Sequence, residues 1–233
     1  MKKTLIFLLC ISAFGFINVS CDLSDDTKDT LTDNSLTEET YETPADYQFT
    51  QEELDKAATA KGTTLSEEEQ KVIQLCNLAR LDGKKFLESY AKPYLKNKTN
   101  SYITSLYSTL ASTKNLPMLY PEASLCKSAA YHAEDMGNKG MIGHNSSDGT
   151  DCFDRIESYY TGSGNLAENC SYGYSGALQI VMQLLVDENT PNLGHRKNIL
   201  NPRYTAIGVA IRPHRSYNSN CVQDFADKII TKL

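Results

Sequence analysis

Apolar residues first fall into register at Val72, Leu75, Cys76, Ala79, Phe86 and Tyr90, in steps of three and four. That is the period of a helix with one buried face. Ser66 and Glu69 stand at its head with the spacing of a reciprocal N-terminal capping pair. Gly83 weakens and bends the run, and Pro93 ends it or begins a second segment. Tyr and Leu spacing over residues 94–110 predicts a further helix. Pro117 and Pro121 bracket a break, with Pro121 placed as a first helical residue. Leu125, Ala129, His132, Ala133 and Met136 then mark one helical face as far as Gly137. His132, on that apolar face, reads as a buried, hydrogen-bonded histidine.

The pattern then changes. Residues 138–150 form a glycine-rich loop carrying His144, and residues 151–160 a short helix. Residues 165–172 alternate as a strand does and set Glu168 on one side. Ser175 caps a helix over Ala177, Ile180, Val181 and Leu184 that stops near residues 187–191. Residues 207–213 and 221–225 read as two strands joined by a polar hairpin loop at 215–220. Helices first, then strands mixed with helices and no repeated βαβ unit, predict an α+β layered domain. No internal repeat is present.

Charge divides the 233-residue chain unevenly. Residues 22–65 hold twelve Asp/Glu against three Lys, whereas residues 66–233 hold eighteen Lys/Arg against seventeen Asp/Glu. The acidic stretch has few large apolar residues and cannot bury enough surface to offset its ordering entropy. It reads as a largely disordered tether over residues 21–65, with a short helix near 51–61, ahead of a globular domain over 66–233. No basic stripe is present to neutralise a run of phosphates, which argues against nucleic acid as a partner.

Residues 1–20 have the layout of an export signal, with Lys2 and Lys3 before an apolar run over residues 5–17. That run is too short for an ordinary membrane-spanning helix, which needs about 20 apolar residues. The following Asn18-Val19-Ser20-Cys21 resembles the lipobox of bacterial lipoproteins. This resemblance implies lipidation at Cys21 and an extracytoplasmic chain anchored to the bacterial envelope or cell surface; simple secretion is the alternative. Beyond Cys10 and Cys21, five cysteines remain: Cys76, Cys126, Cys152, Cys170 and Cys221. An odd number leaves at least one free thiol. Cys76 and Cys126 read as small core residues, and Cys152 with Cys170 is the pair to test first for a disulfide.

Three polar stretches carry the candidate chemistry: Gly143-His144-Asn145, Asn165-Leu166-Ala167-Glu168-Asn169, and Gly194-His195 with the strand that follows it. His195 sits in a glycine-led loop, so that it can point into a cleft while the strand behind steadies it. His144, Glu168, His195 and an acid at Asp187 or Glu188 would put two imidazoles and two carboxylates together. Such a set can bind a divalent metal or move protons. No His-Glu-x-x-His or Gly-x-Ser-x-Gly stretch is present. A cysteine nucleophile, Cys152 beside His144, stays open as a further reading.

In this order the three stretches resemble the CAP superfamily of cysteine-rich secretory, antigen 5 and pathogenesis-related 1 proteins, in its bacterial SCP-like lipoprotein form. Residues 165–169 are similar to the family's Gly-Glu-Asn motif, with Ala167 in place of glycine. Gly194-His195 followed by Ile207-Gly208-Val209 keeps the family's spacing, and Gly143-His144 with Phe153-Asp154-Arg155 is similar to its first-histidine segment. The resemblance implies an α-β-α sandwich around a mainly antiparallel sheet with an open cleft. It makes His144, Glu168, Asp187 and His195 the candidate catalytic or binding tetrad, with His144 and His195 as ligands of zinc or magnesium. Ligands it would imply are a small molecule, lipid, glycan or peptide, and a metal-assisted hydrolase or a purely structural network are the alternatives.

Overall fold

A computed structural model of the chain describes residues 42–228. The export signal, Cys21 and the first part of the acidic segment lie outside the described residues. After a 3-10 turn at Ala45–Tyr47, helix α1 covers Gln51–Ala57 and α2 Glu67–Leu81. Asp82 caps α3 (Gly83–Phe86), a π turn spans Leu87–Ala91, and α4 covers Lys92–Leu95. Then come α5 (Ser101–Ser112), strand β1 (Tyr120–Pro121), α6 (Ala123–Lys139), α7 (Cys152–Tyr159) and β2 (Leu166–Tyr172). Helices α8 (Ala177–Val186) and α9 (Gly194–Ile199) precede strands β3 (Ala206–His214) and β4 (Asn218–Ala226).

The four strands lie in the order β1-β3-β4-β2, antiparallel except for the short β1–β3 pair. Side chains of a strand alternate between the two sheet faces, and both faces are covered. Ile207, Val209, Cys221 and Phe225 join α2, α5 and α8 in the larger core. Ala206, Ala210, Val222 and Ala226 meet Leu125, Ala129 and Ala133 of α6, and Ile156 of α7, on the other side. The result is the α-β-α sandwich, with a mainly antiparallel sheet between its helical layers.

Small residues bring α6 close to the sheet. A Cβ at Gly208 would run into the Leu125 carbonyl, and one at Gly137 into the Pro213 carbonyl. Each position therefore requires glycine because two backbones approach there.

Several boundaries differ from the sequence reading. Residues 45–65, which composition assigns to the tether, pack on the helices that follow, the 3-10 turn on α3 and α1 on α2. Thr50 and Glu53 form a capping box at α1, Ala57 and Ala60 are buried, and Asn77 Nδ2 donates to the Ala57 carbonyl at 3.0 Å. Alanines bury without bulk, so low hydrophobicity concealed the contact. Pro121 is in β1 rather than α6, whose N-cap is Glu122. The helix expected from residue 94 starts at Ser101, where Asn100 Oδ1 accepts from Ile103 N–H at 2.9 Å. His195 lies in the helix α9, not in a loop, after Leu193 turns the chain at φ 52°. The hairpin loop is shorter than expected, because the β3–β4 ladder runs on to His214 and Asn218. No disulfide joins Cys152 to Cys170; all five cysteines among the described residues are free thiols.

Candidate functional site

Helix α6 ends on Gly140 in the left-handed region (φ 68°), which turns the chain into the His144 loop. That loop is fastened at several points. Ser147 gives its N–H and hydroxyl to Asp135 at 2.7 and 2.6 Å. Arg155 Nη1 donates to the His144 carbonyl at 2.7 Å and to Ser146 Oγ at 3.2 Å. His132 Nε2 donates to the Gly143 carbonyl at 3.0 Å, so its Nδ1 carries no proton. Burial pushes the His132 pKa down and keeps that ring neutral.

Strand β2 directs Glu168 to the α6 side of the sheet. Its Oε1 accepts from His144 Nδ1 at 2.8 Å and its Oε2 pairs with Arg155. Burial opposes the charged carboxylate, yet His144, His132 and Arg155 outweigh it and hold Glu168 below the ordinary value. The hydrogen bond to Glu168 in turn raises the His144 pKa. The Glu168 side chain is 1% exposed and that of His144 49%. A buried anion thus orients an imidazole that reaches solvent.

A second pair is built at the end of α8. Asp187 takes a left-handed conformation (φ 57°) as the helix C-cap. Its Oδ1 accepts from His195 Nδ1 at 2.7 Å and its Oδ2 from Arg196 N–H at 3.1 Å. Against the effect of burial, these bonds lower the Asp187 pKa. Glu188, the other candidate acid, points elsewhere and accepts from Asn100 Nδ2 at 2.9 Å. The Arg196 guanidinium is buried and donates to the carbonyls of Leu185, Val186 and Tyr102, which seats α9 on α8 and α5.

The two pairs are tied to consecutive residues of β2. Asn169, next to Glu168, donates from Nδ2 to the His195 carbonyl at 3.2 Å. Asn198 Nδ2 donates to Asn169 Oδ1 at 2.9 Å and to the Glu168 carbonyl at 3.4 Å. In both pairs the carboxylate accepts the Nδ1 proton. Whenever such a ring is neutral, Nε2 is the atom with a lone pair available to a ligand or cation.

Sequence reasoning missed Arg155 as the Glu168 partner, and it missed Asp224. The latter faces Glu168 directly across the β2–β4 ladder and is fully buried. Neither of its oxygens makes a well-formed hydrogen bond among the described residues. Burial and the Glu168 charge push its pKa well up, which favours the protonated form. An acid set between Val222 and Ala226 on one strand face was the available signal.

The family model for the CAP, or cysteine-rich secretory protein, family matches residues 73–225. Over 96 residues the chain is 33% identical to the uncharacterized protein YkwD of Bacillus subtilis (strain 168), a match covering 41% of this chain and 35% of that protein. The chain therefore matches about a third of the length of that curated relative. An extracellular SCP-domain protein of Bacillus anthracis str. Ames, solved at 1.5 Å, is similar with TM-score 0.45 and 21% identity, over 72% of this chain and 45% of that one. An outer surface protein of Borrelia burgdorferi is similar with TM-score 0.42 and 24% identity, over 55% of this chain and 94% of that one. The family match takes in more than half of the sequence, both histidine–carboxylate pairs and the sheet that carries them: this chain belongs to the CAP family.

Proposed function

We propose that this chain is an exported binding protein whose two histidine–carboxylate pairs hold a small ligand or peptide, or a divalent cation such as zinc or magnesium. The observation that carries this reading is the common design of the pairs. Each imidazole is fixed at Nδ1 by a carboxylate that is 1% exposed, while the ring itself is a quarter to a half exposed. A ring fixed this way offers Nε2 as a ready acceptor or metal ligand.

Both acids are already engaged, which argues against a carboxylate serving as the general base of a hydrolase. Glu168 is held between His144 and Arg155, and Asp187 between His195 and the Arg196 N–H. Neither is left to take a proton from water. A purely structural network is disfavoured by the 49% exposure of the His144 side chain.

Zinc calorimetry on the wild type and on the His144→Ala/His195→Ala double variant tests the cation arm. The expected result is binding that weakens by at least about tenfold, as for the loss of metal-orienting groups. Unchanged affinity in the double variant would remove the cation from this reading.

A further inference from the structure

Cys170 lies two residues after Glu168 on β2, so alternation puts both side chains on the same face. Its sulfur stands 3.5 Å from Glu168 Oε1 and 3.8 Å from His144 Nδ1, and those two atoms are 2.8 Å apart. A zinc ion with bonds of about 2.0–2.1 Å to nitrogen, 2.0–2.2 Å to oxygen and 2.3 Å to sulfur spaces tetrahedral ligands roughly 3.3–3.8 Å apart. The two edges to sulfur fit that spacing, and opening the 2.8 Å nitrogen–oxygen edge by about half an ångström on loss of its proton would complete one face of such a site. Cys152 Sγ, at the start of α7, lies within 4.8 Å of ligand atoms of both His144 and Glu168. Moved inward by its side chain, it would give a fourth donor from another element.

We propose that His144 Nδ1, Glu168 Oε1, Cys170 Sγ and Cys152 Sγ form an inner site for a thiophilic divalent cation, zinc above all. The donor set is one nitrogen, one oxygen and two sulfurs. Thiolates select zinc, whereas magnesium requires an octahedron of oxygens. Charge also balances: two thiolates and a carboxylate face the dication, and Arg155 on the second oxygen of Glu168 supplies the remaining positive charge. On binding, the two thiol protons leave to solvent and the neutral His144 ring passes from its Nδ1–H to its Nε2–H tautomer. No redox step is involved. Access runs from the His144 side, since that ring is 49% exposed and Cys170 is only partly buried.

This site shares His144 and Glu168 with the proposed function but uses the opposite ring nitrogen and has no need of His195. The two readings therefore fail separately. The test loads the reduced full-length protein with cobalt(II), as a probe for zinc, and follows the sulfur-to-metal charge-transfer absorption. Wild type and His195→Ala are expected to show the band, and Cys170→Ser and Cys152→Ser to lose it. In parallel, zinc affinity by calorimetry should fall at least tenfold in Cys170→Ser, and excess magnesium should not displace zinc. No band in the wild type, or a band that persists in a folded Cys170→Ser, overturns the inference. Cys170 is on the edge strand and partly exposed, so its serine variant carries the test even where Cys152→Ser fails to fold. Zinc binding that depends on His195 but not on Cys170 would overturn the inner site and leave the outer reading intact.

Discussion

At the scale of the residue, Glu168 is where the chemistry concentrates. It is a buried anion with Arg155 and His144 on its two oxygens and a second buried acid, Asp224, across the ladder. Removing one member of a buried ion pair leaves the other uncompensated. Arg155→Ala should therefore cost about 3–5 kcal/mol of stability, measured by chemical denaturation. A loss within the range of an ordinary surface change would contradict the burial described. The pairing of Glu168 with His144 was legible as a motif, because the two stretches occur in the family order. The choice of Asp187 over Glu188 was not legible from composition, since both are acids at the same helix end. It is decided by the left-handed turn at Asp187, which swings its carboxylate to His195 and leaves Glu188 to Asn100. Arg155 and Asp224 escaped because their partners depend on strand register and on where α7 begins.

At the scale of the element, single polar side chains fix how helices sit on the sheet. Glu69 closes the capping box of α2 through the Ser66 N–H at 2.8 Å. It also accepts from Ile211 N–H and from Arg212 on β3, both at 2.9 Å. Burial opposes the charge, but these donors prevail and lower the Glu69 pKa below 4.5. A depressed carboxyl stabilises the fold above its unfolded pKa and loses that contribution as pH falls through the folded value. Glu69→Gln should thus cost about 1.5–3 kcal/mol near pH 7, the range for hydrogen bonds to a charged group. The deficit should shrink as acid denaturation is approached, when stability is followed against pH.

Helix α9 has six residues, too few to stand on propensity alone. Arg196 holds its start and Arg80 its end. Arg80 is fully buried and donates to the carbonyls of Pro117, Ile199, Asn201 and Tyr204 at 2.7–2.9 Å. Burial brings its pKa down to about 10, so it keeps its charge at neutral pH. Arg80→Met should orphan four carbonyls and cost about 3–5 kcal/mol, among the large single-site effects. Hydrogen exchange should be fastest in the turn before β3. The two C-terminal strands were readable from alternation, whereas the α9 helix was not, because six residues cannot display a helical period.

At the scale of the whole molecule, the layered α+β class was legible because helical and alternating patterns follow one another without a βαβ repeat. The start of the packed body was not, because charge and low hydrophobicity disguised a segment that docks through alanines and backbone bonds. Among the described residues no helix is long and apolar enough to cross a membrane. The lipobox-like Cys21, outside the described residues, is the proposed point of attachment to the envelope. Membrane extraction and intact-mass measurement should find acyl mass on a chain beginning at Cys21, and Cys21→Ala should release the protein. A wild-type chain recovered without that mass would leave simple secretion.

The close seating of α6 on β3 at Gly137 and Gly208 bears on how any guest is received. With backbone against backbone at both places, the floor beneath His132 and Glu168 has no slack to yield. The loops at residues 140–149 and 187–193 flank that floor, with Gly140, Gly143, Gly149, Asp187, Asn189 and Leu193 at positive φ and with Ser147 on Asp135 and Arg196 N–H on Asp187 among their fastenings. Discrimination among guests is thus expected to reside in the side chains these loops carry rather than in movement of the base, and grafting other loop sequences onto that base should change preference while leaving the scaffold standing.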